Sequence, residues 1–208
     1  MDNKERKEPM FKLDGKNCFL EVVEDGFGIE KVQINFCTYD KSREPGKRQT
    51  AFIPFYISFE EFIVFADNVR IGRFKQKTDK AQAAATAAQK QWADPVFHMM
   101  GGTTKEALNR SGRARADGMS ISRQLRIYPG SKQAYLVVCE QGAGEQNEKG
   151  LIVPRYGTKP DQKVMVPVSE DAMHQLAARV SLEIQAYITA KRTTEMFVAM
   201  RSNNKSAS

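Results

Sequence analysis

The sequence predicts an α+β fold made of two β-β-β-β-α units, and three observations carry that prediction. A strand-like run, TAFIPFYIS, passes straight into an amphipathic helix pattern at Ser58. The same transition recurs at Ser169, where QKVMVPVS leads into EDAMHQLAARVSLEIQAYI. Each last strand follows a tyrosine-led hairpin, Tyr39 before DKSREPGKRQ and Tyr156 before GTKPDQK. Four antiparallel strands with one helix cover one face of a sheet. Two such units therefore predict an open antiparallel sheet surface with the helices on one face.

The elements follow in order. Residues 1–9 are polar and charged and predict a flexible arm. The first unit spans 10–74, with strands at 10–13, 17–24, 31–39 and 50–57. The third is the clearest: Val32, Ile34 and Phe36 alternate with Gln33, Asn35 and Cys37, the period of two that a half-buried strand needs. Pro54 cannot donate to a ladder, which predicts an edge or a bulge for the fourth strand. Ser58 with Glu61 three residues on forms a capping-box signature. Phe59, Phe62, Ile63, Ala66 and Val69 share one face of the helix that follows, which is expected to extend to Phe74.

Residues 75–119 break the pattern and read as a connector. Its alanine-rich stretch 80–91 is helical by propensity, and Met99-Met100-Gly101-Gly102 and 109–118 read as loops. The second unit spans 120–190, with strands at 120–128, 134–141, 151–156 and 163–168 and a helix capped by Ser169. Glu170 and Asp171 suit the positive end of its dipole. Beyond Lys191 the composition predicts a disordered tail over 191–208.

Composition narrows the function. The formal charge of +7 favours a polyanionic partner. Residues 70–132 hold 13 Lys/Arg against four Asp/Glu, a local +9, so the rest of the chain is slightly acidic in sum. Three scattered cysteines, Cys18, Cys37 and Cys139, form no CxxC pair and fit a reducing cytoplasm. The first residues lack the apolar stretch of a signal peptide, and no run reaches the ~18 apolar residues of a membrane helix. No Walker A, GxSxG, dinucleotide or metal-ligand spacing is present, so neither an enzyme nor a cofactor or metal is expected.

The doubled β4-α order on a basic chain resembles the Whirly and Pur families of single-stranded nucleic-acid binders. The resemblance is one of element order over residues 10–190. It implies two pseudo-symmetric units whose strands present aromatic and basic side chains to bases and phosphates.

Binding a single strand with little base preference needs a cationic path for phosphates and aromatic faces for stacking. Candidate phosphate contacts in the connector are Arg110, Arg113 and Arg115, although a solvated linker would carry the same charges. On the strand at 120–128, Arg126 and Tyr128 share one surface and form a candidate platform. Arg123 has the parity of Ile121 and Leu125 and is expected to be paired at the sheet edge; it joins the candidate set. The hairpin tips add Lys41, Arg43, Lys47 and Arg48 in one unit, and Arg155, Lys159 and Lys163 in the other. Such lysines also guard strand edges against aggregation. Tyr39, Phe52, Tyr56, Tyr135 and Tyr156 are stacking candidates.

The function expected is therefore a non-enzymatic single-stranded DNA-binding protein of low sequence specificity, forming a homo-oligomer. It would coat or protect DNA in replication, recombination or mobile-element transfer. An RNA or duplex DNA binder using the same surface, and a scaffold protein with a basic arm, remain open alternatives.

Overall fold

A computed structural model describes residues 8–206; the expected arm at 1–9 lies outside these residues up to position 7. The first unit forms an antiparallel sheet from β1 (Phe11–Asp14), β2 (Cys18–Val23), β3 (Lys31–Tyr39) and β4 (Gln49–Ser58), in that order. A 3-10 turn at Glu24–Ile29 joins β2 to β3. Pro54 lies on the edge strand β4, as its missing N–H requires. It has the same parity as Phe52, whose N–H points away from β3 to Gln162. The proline ring therefore removes no ladder bond.

Ser58 caps α1 (Phe59–Arg70) with the full capping box: its Oγ accepts from the Glu61 N–H, and Glu61 accepts from the Ser58 N–H, both at 3.3 Å. The helix stops earlier than the expected Phe74. Gly72 adopts φ +74, a left-handed conformation that suits glycine, and α2 (Arg73–Ala87) starts there in a new direction. Its Phe74 is buried against Phe65, Phe97 and Tyr135, so α2 is anchored at its first turn.

The second sheet departs from expectation at its first strand. Residues read as loop form β5 (Phe97–Thr103), which pairs with β6 (Ser120–Pro129). A short helix, α3 (Lys105–Arg110), lies between them. One of the glycines that suggested a loop, Gly102, is required by packing. A Cβ on Gly102 would stand 2.6 Å from the Ile152 Cβ and from the Ile121 carbonyl oxygen. β7 (Tyr135–Gln146) pairs with β6 on one side. On its other side it pairs with β9 (Gln162–Val168) and, past Gly142, with β8 (Ile152–Pro154). The second sheet thus has five strands against four in the first.

Ser169 Oγ accepts from the Ala172 N–H at the start of α4 (Glu170–Ser206). This helix continues to Ser206, through the stretch expected to be a disordered tail; residues 207 and 208 lie outside the described set. Two features sustain it. The segment is rich in good helix formers, and Lys191 pairs with Glu30, which follows the 3-10 turn, at 2.7 Å.

Both units fill one core. Leu20, Ile34, Phe36, Ile53, Phe55 and Ile57 of the first sheet join Leu125, Ile127, Val137, Val164 and Val166 of the second. Phe62 and Val69 of α1 and Met173, Val180 and Ile184 of α4 complete it. Burying this apolar surface is the main driving force of the fold. The inner faces of both sheets are thereby used, and the outer faces point away from the core. No described helix is long and apolar enough to cross a membrane.

Candidate nucleic-acid interface

The alternation of β2, β3 and β4 places one set of aromatics on the outer face of the first sheet. Phe19 and Phe52 both pair with Cys37, from either side, so the three residues form one row across the strands. Neighbouring strands lie ~4.8 Å apart, so the two phenylalanines stand two strands apart, ~10 Å, on either side of Cys37. Tyr39 continues the face along β3, with its ring centroid 6.2 Å from that of Phe19. Tyr56 shares the parity of Phe52 on β4 and pairs with Gln33. Phe52 and Tyr56 are 36% and 40% exposed; Phe19 and Tyr39 are half-buried. Between the rings lies a polar floor in which Gln33 donates to Asn35 (2.8 Å) and Asn35 donates to the buried Glu21 (3.2 Å).

Cations flank this face. Lys12 Nζ stands 5.1 Å from the Phe19 ring centroid and also pairs with Asp14 at 2.9 Å, and Lys41 Nζ stands 5.7 Å from the Tyr39 ring centroid. The Tyr39 hydroxyl donates to the carbonyls of Gly15 and Lys16, which fixes its ring at the sheet margin. At the hairpin tip the charges are partly matched. Arg43 lies 3.5 Å from Asp40, and Lys47 lies 3.1 Å from Glu44. Arg48 donates to the Arg43 carbonyl and makes no ion pair among the described residues. The Ser42 hydroxyl and amide, together with Arg43, hold the Asp40 carboxyl below its usual pKa.

The second sheet offers less. Arg126 and Tyr128 do lie on its outer face, as their parity required. Arg126, however, is bound to Glu140 at 2.9 Å, and Lys163 binds the same carboxylate at 3.0 Å. This platform is already neutralised in part. Tyr135 is a correction: it is 1% exposed and packs on Phe74 inside the core, where burial raises its pKa to about 12. Its ring cannot meet a base. It pairs with Pro129 and Val168, and its parity puts it on the inner face with Val137.

Arg115 is also committed elsewhere. It binds Asp117 at 2.7 Å and Asp161 of the loop before β9, clamping the connector to the second unit. That clamp holds Asp117 down at about 2 and raises Arg115 further. Arg110, at the end of α3, and Arg113 are exposed, and neither forms an ion pair among the described residues. Arg155 lies 3.3 Å from Glu145. Tyr156 is fully exposed on the following turn, and Lys159 lies beyond it in the same loop.

Arg123 is not at an edge, because β5 pairs outside β6. Its guanidinium lies on the core-facing side, where Nε donates to Gln141 Oε1 (2.8 Å) and Nη1 to Thr103 Oγ1 (3.0 Å). Both acceptors are neutral.

The structure therefore gathers Tyr39, Lys41, Phe52 and Tyr56 on one face with two residues not singled out from sequence, Lys12 and Phe19. Phe19 was legible in principle: Leu20 and Val22 are core, so Phe19 must point the other way. Trp92, 70% exposed between α2 and β5, was likewise missed and sits away from any strand.

No family model matches the chain, and no curated protein matches it. Among solved structures it is similar to WHY1 from Arabidopsis thaliana, with 8% identity, coverage of 91% of this chain and 90% of that one, and a TM-score of 0.43.

Proposed function

We propose that the protein is a non-enzymatic binder of single-stranded nucleic acid, DNA before RNA, with little base preference. The observation that carries this reading is the outer face of the first sheet. Phe19, Tyr39, Phe52 and Tyr56 offer ring surface on three adjacent strands, and Lys12 and Lys41 stand over two of the rings. Stacking on such rings is worth ~1–3 kcal/mol per base and tolerates any sequence. Lysine and arginine neutralise the phosphates between the stacked bases. The unpaired cations Arg48, Arg110 and Arg113 extend the positive field beyond the face.

A homo-oligomer and a cytoplasmic setting belong to the same proposal. The far end of α4 carries exposed Met196, Phe197, Val198 and Met200, an apolar stretch that suits association between copies. The cysteines Cys18, Cys37 and Cys139 are free thiols, which suits a reducing compartment.

The test is fluorescence anisotropy with labelled single-stranded DNA, duplex DNA and single-stranded RNA over a salt series. The reading predicts tightest binding to the single-stranded DNA, weakening with salt as counterions are released. Equal or tighter duplex binding would move the function to the duplex. No binding to any probe at low salt would leave the scaffold alternative, which light scattering of the nucleic-acid-free protein would then address.

A further inference from the structure

The register of the second sheet sets Gly101, Arg123, Gln141 and Gln162 side by side across β5, β6, β7 and β9. The free edge of β4 lies along this polar row. The Phe52 N–H donates to Gln162 Oε1 at 3.1 Å, and a Cβ on Gly101 would touch the Phe55 ring at 3.7 Å. Between β4 and β5 opens a cleft of about 480 Å³ lined in part by Tyr56, Met100, Gly101, Thr103 and Arg123. That is large enough for a small ligand.

Arg123 is the unusual member. A guanidinium has five N–H donors. Nε and Nη1 are held by Gln141 and Thr103, and Nη2 makes no hydrogen bond among the described residues. No carboxylate forms an ion pair with it among those residues. Burial pulls its pKa below the ordinary arginine value, and the nearby Arg113 adds to that effect. Arginine nevertheless stays charged at neutral pH. A half-buried cation without a counter-charge is costly unless an anion completes it. The two acidic residues of the cleft are grouped elsewhere. Glu61 is held by Ser58, which pairs with Lys31, and Asp25 lies in the turn that leads to Lys31.

We propose that this cleft seats a phosphate ester, with the Arg123 guanidinium binding the phosphate and the Tyr56 ring lying against the attached base. Tyr56 belongs both to the cleft and to the aromatic face of the first sheet. A strand crossing β4 would therefore place one phosphate on Arg123; in that form the proposal rests on the single-strand reading above. A free nucleotide presents the same chemistry.

Two variants and two probes separate these cases. Arg123→Gln removes the charge. Gly101→Asp keeps Arg123 and both its acceptors but sets a carboxylate in the paired position across the ladder; Gly101 has no left-handed backbone and a Cβ there meets only the Phe55 ring. Anisotropy with labelled oligothymidylate should show each variant binding about tenfold more weakly than wild type, with the salt slope reduced by about 0.7. Thermal shift with thymidine monophosphate should show stabilisation of the wild type that both variants lose. Strand binding by wild type that both variants match in affinity and slope would overturn the proposal. A wild type that binds no strand, yet is stabilised by the nucleotide through Arg123, would keep the cleft and discard the single-strand reading. Failure of both probes to respond to either variant would overturn the site. Should Arg123→Gln not fold, Gly101→Asp decides alone.

Discussion

Lys12 Nζ lies 5.1 Å from the centroid of the Phe19 ring, on the outer face of the first sheet. The lysine sits on the edge strand β1 and pairs with Glu21, two residues along β2 from Phe19. An ammonium over a ring is a modest attraction at an exposed site, ~0.5–1 kcal/mol. Its consequence is positional: a cation, shared with Asp14 at 2.9 Å, and a π-face stand side by side. Lys41 and Tyr39 repeat the arrangement at the end of β3.

Phe52→Ala and Tyr56→Ala each remove an exposed ring from this face. Each should weaken single-strand binding by ~1–3 kcal/mol and lower stability by only about 1 kcal/mol, since each ring is partly exposed. Tyr135→Phe should leave binding unchanged, because that ring is in the core. Anisotropy and thermal melting on the same preparations check both halves of the claim.

Glu140 restrains two cations at once, Arg126 and Lys163. Glu140→Gln should release both and strengthen binding to a polyanion, with a steeper salt dependence. Arg126→Ala in the native background should weaken binding less than either ring deletion. A salt series on the two variants reads the difference directly.

The Arg115–Asp117–Asp161 clamp gives a pH signature. Asp117 is held at about 2, below the ordinary carboxylate value. A lowered folded-state pKa contributes stability that is present above the unfolded pKa of ~4 and lost as pH falls through the folded value. The contribution of Asp117 should therefore fade between about pH 4 and pH 2. Denaturation of wild type and Asp117→Asn should differ at pH 6 and converge near pH 2.

Gly102→Ala should destabilise the protein by ~1–3 kcal/mol, the usual cost of overpacking, because its Cβ would collide with Ile152 and the Ile121 carbonyl. Gly28→Ala, where a Cβ meets nothing within 4 Å, should be close to neutral. Urea denaturation of both variants makes the comparison.

These cases show where sequence reading succeeded and where it stopped. Alternation located β3, and the serine caps located the starts of α1 and α4, because each signal is local. β5 was missed because Gly101 and Gly102 read as loop, while Gly102 lets Ile152 approach closely from a strand fifty residues on. Missing β5 then misplaced Arg123, whose parity was correct but whose strand is interior. The platform of Arg126 and Tyr128 was placed on the right face, but its partner Glu140 is visible only once β6 and β7 are in register. The length of α4 escaped because its last turns bury little, and its contact with Glu30 is 161 residues away in sequence.

The measurement that tests the central claim most directly is photocrosslinking of a halogenated single-stranded oligonucleotide, with the attachment sites mapped by peptide mass spectrometry. The account predicts adducts at Phe19, Tyr39, Phe52 or Tyr56, lost in the corresponding alanine variants. Adducts confined to residues 105–132, with none on the first sheet, would contradict it.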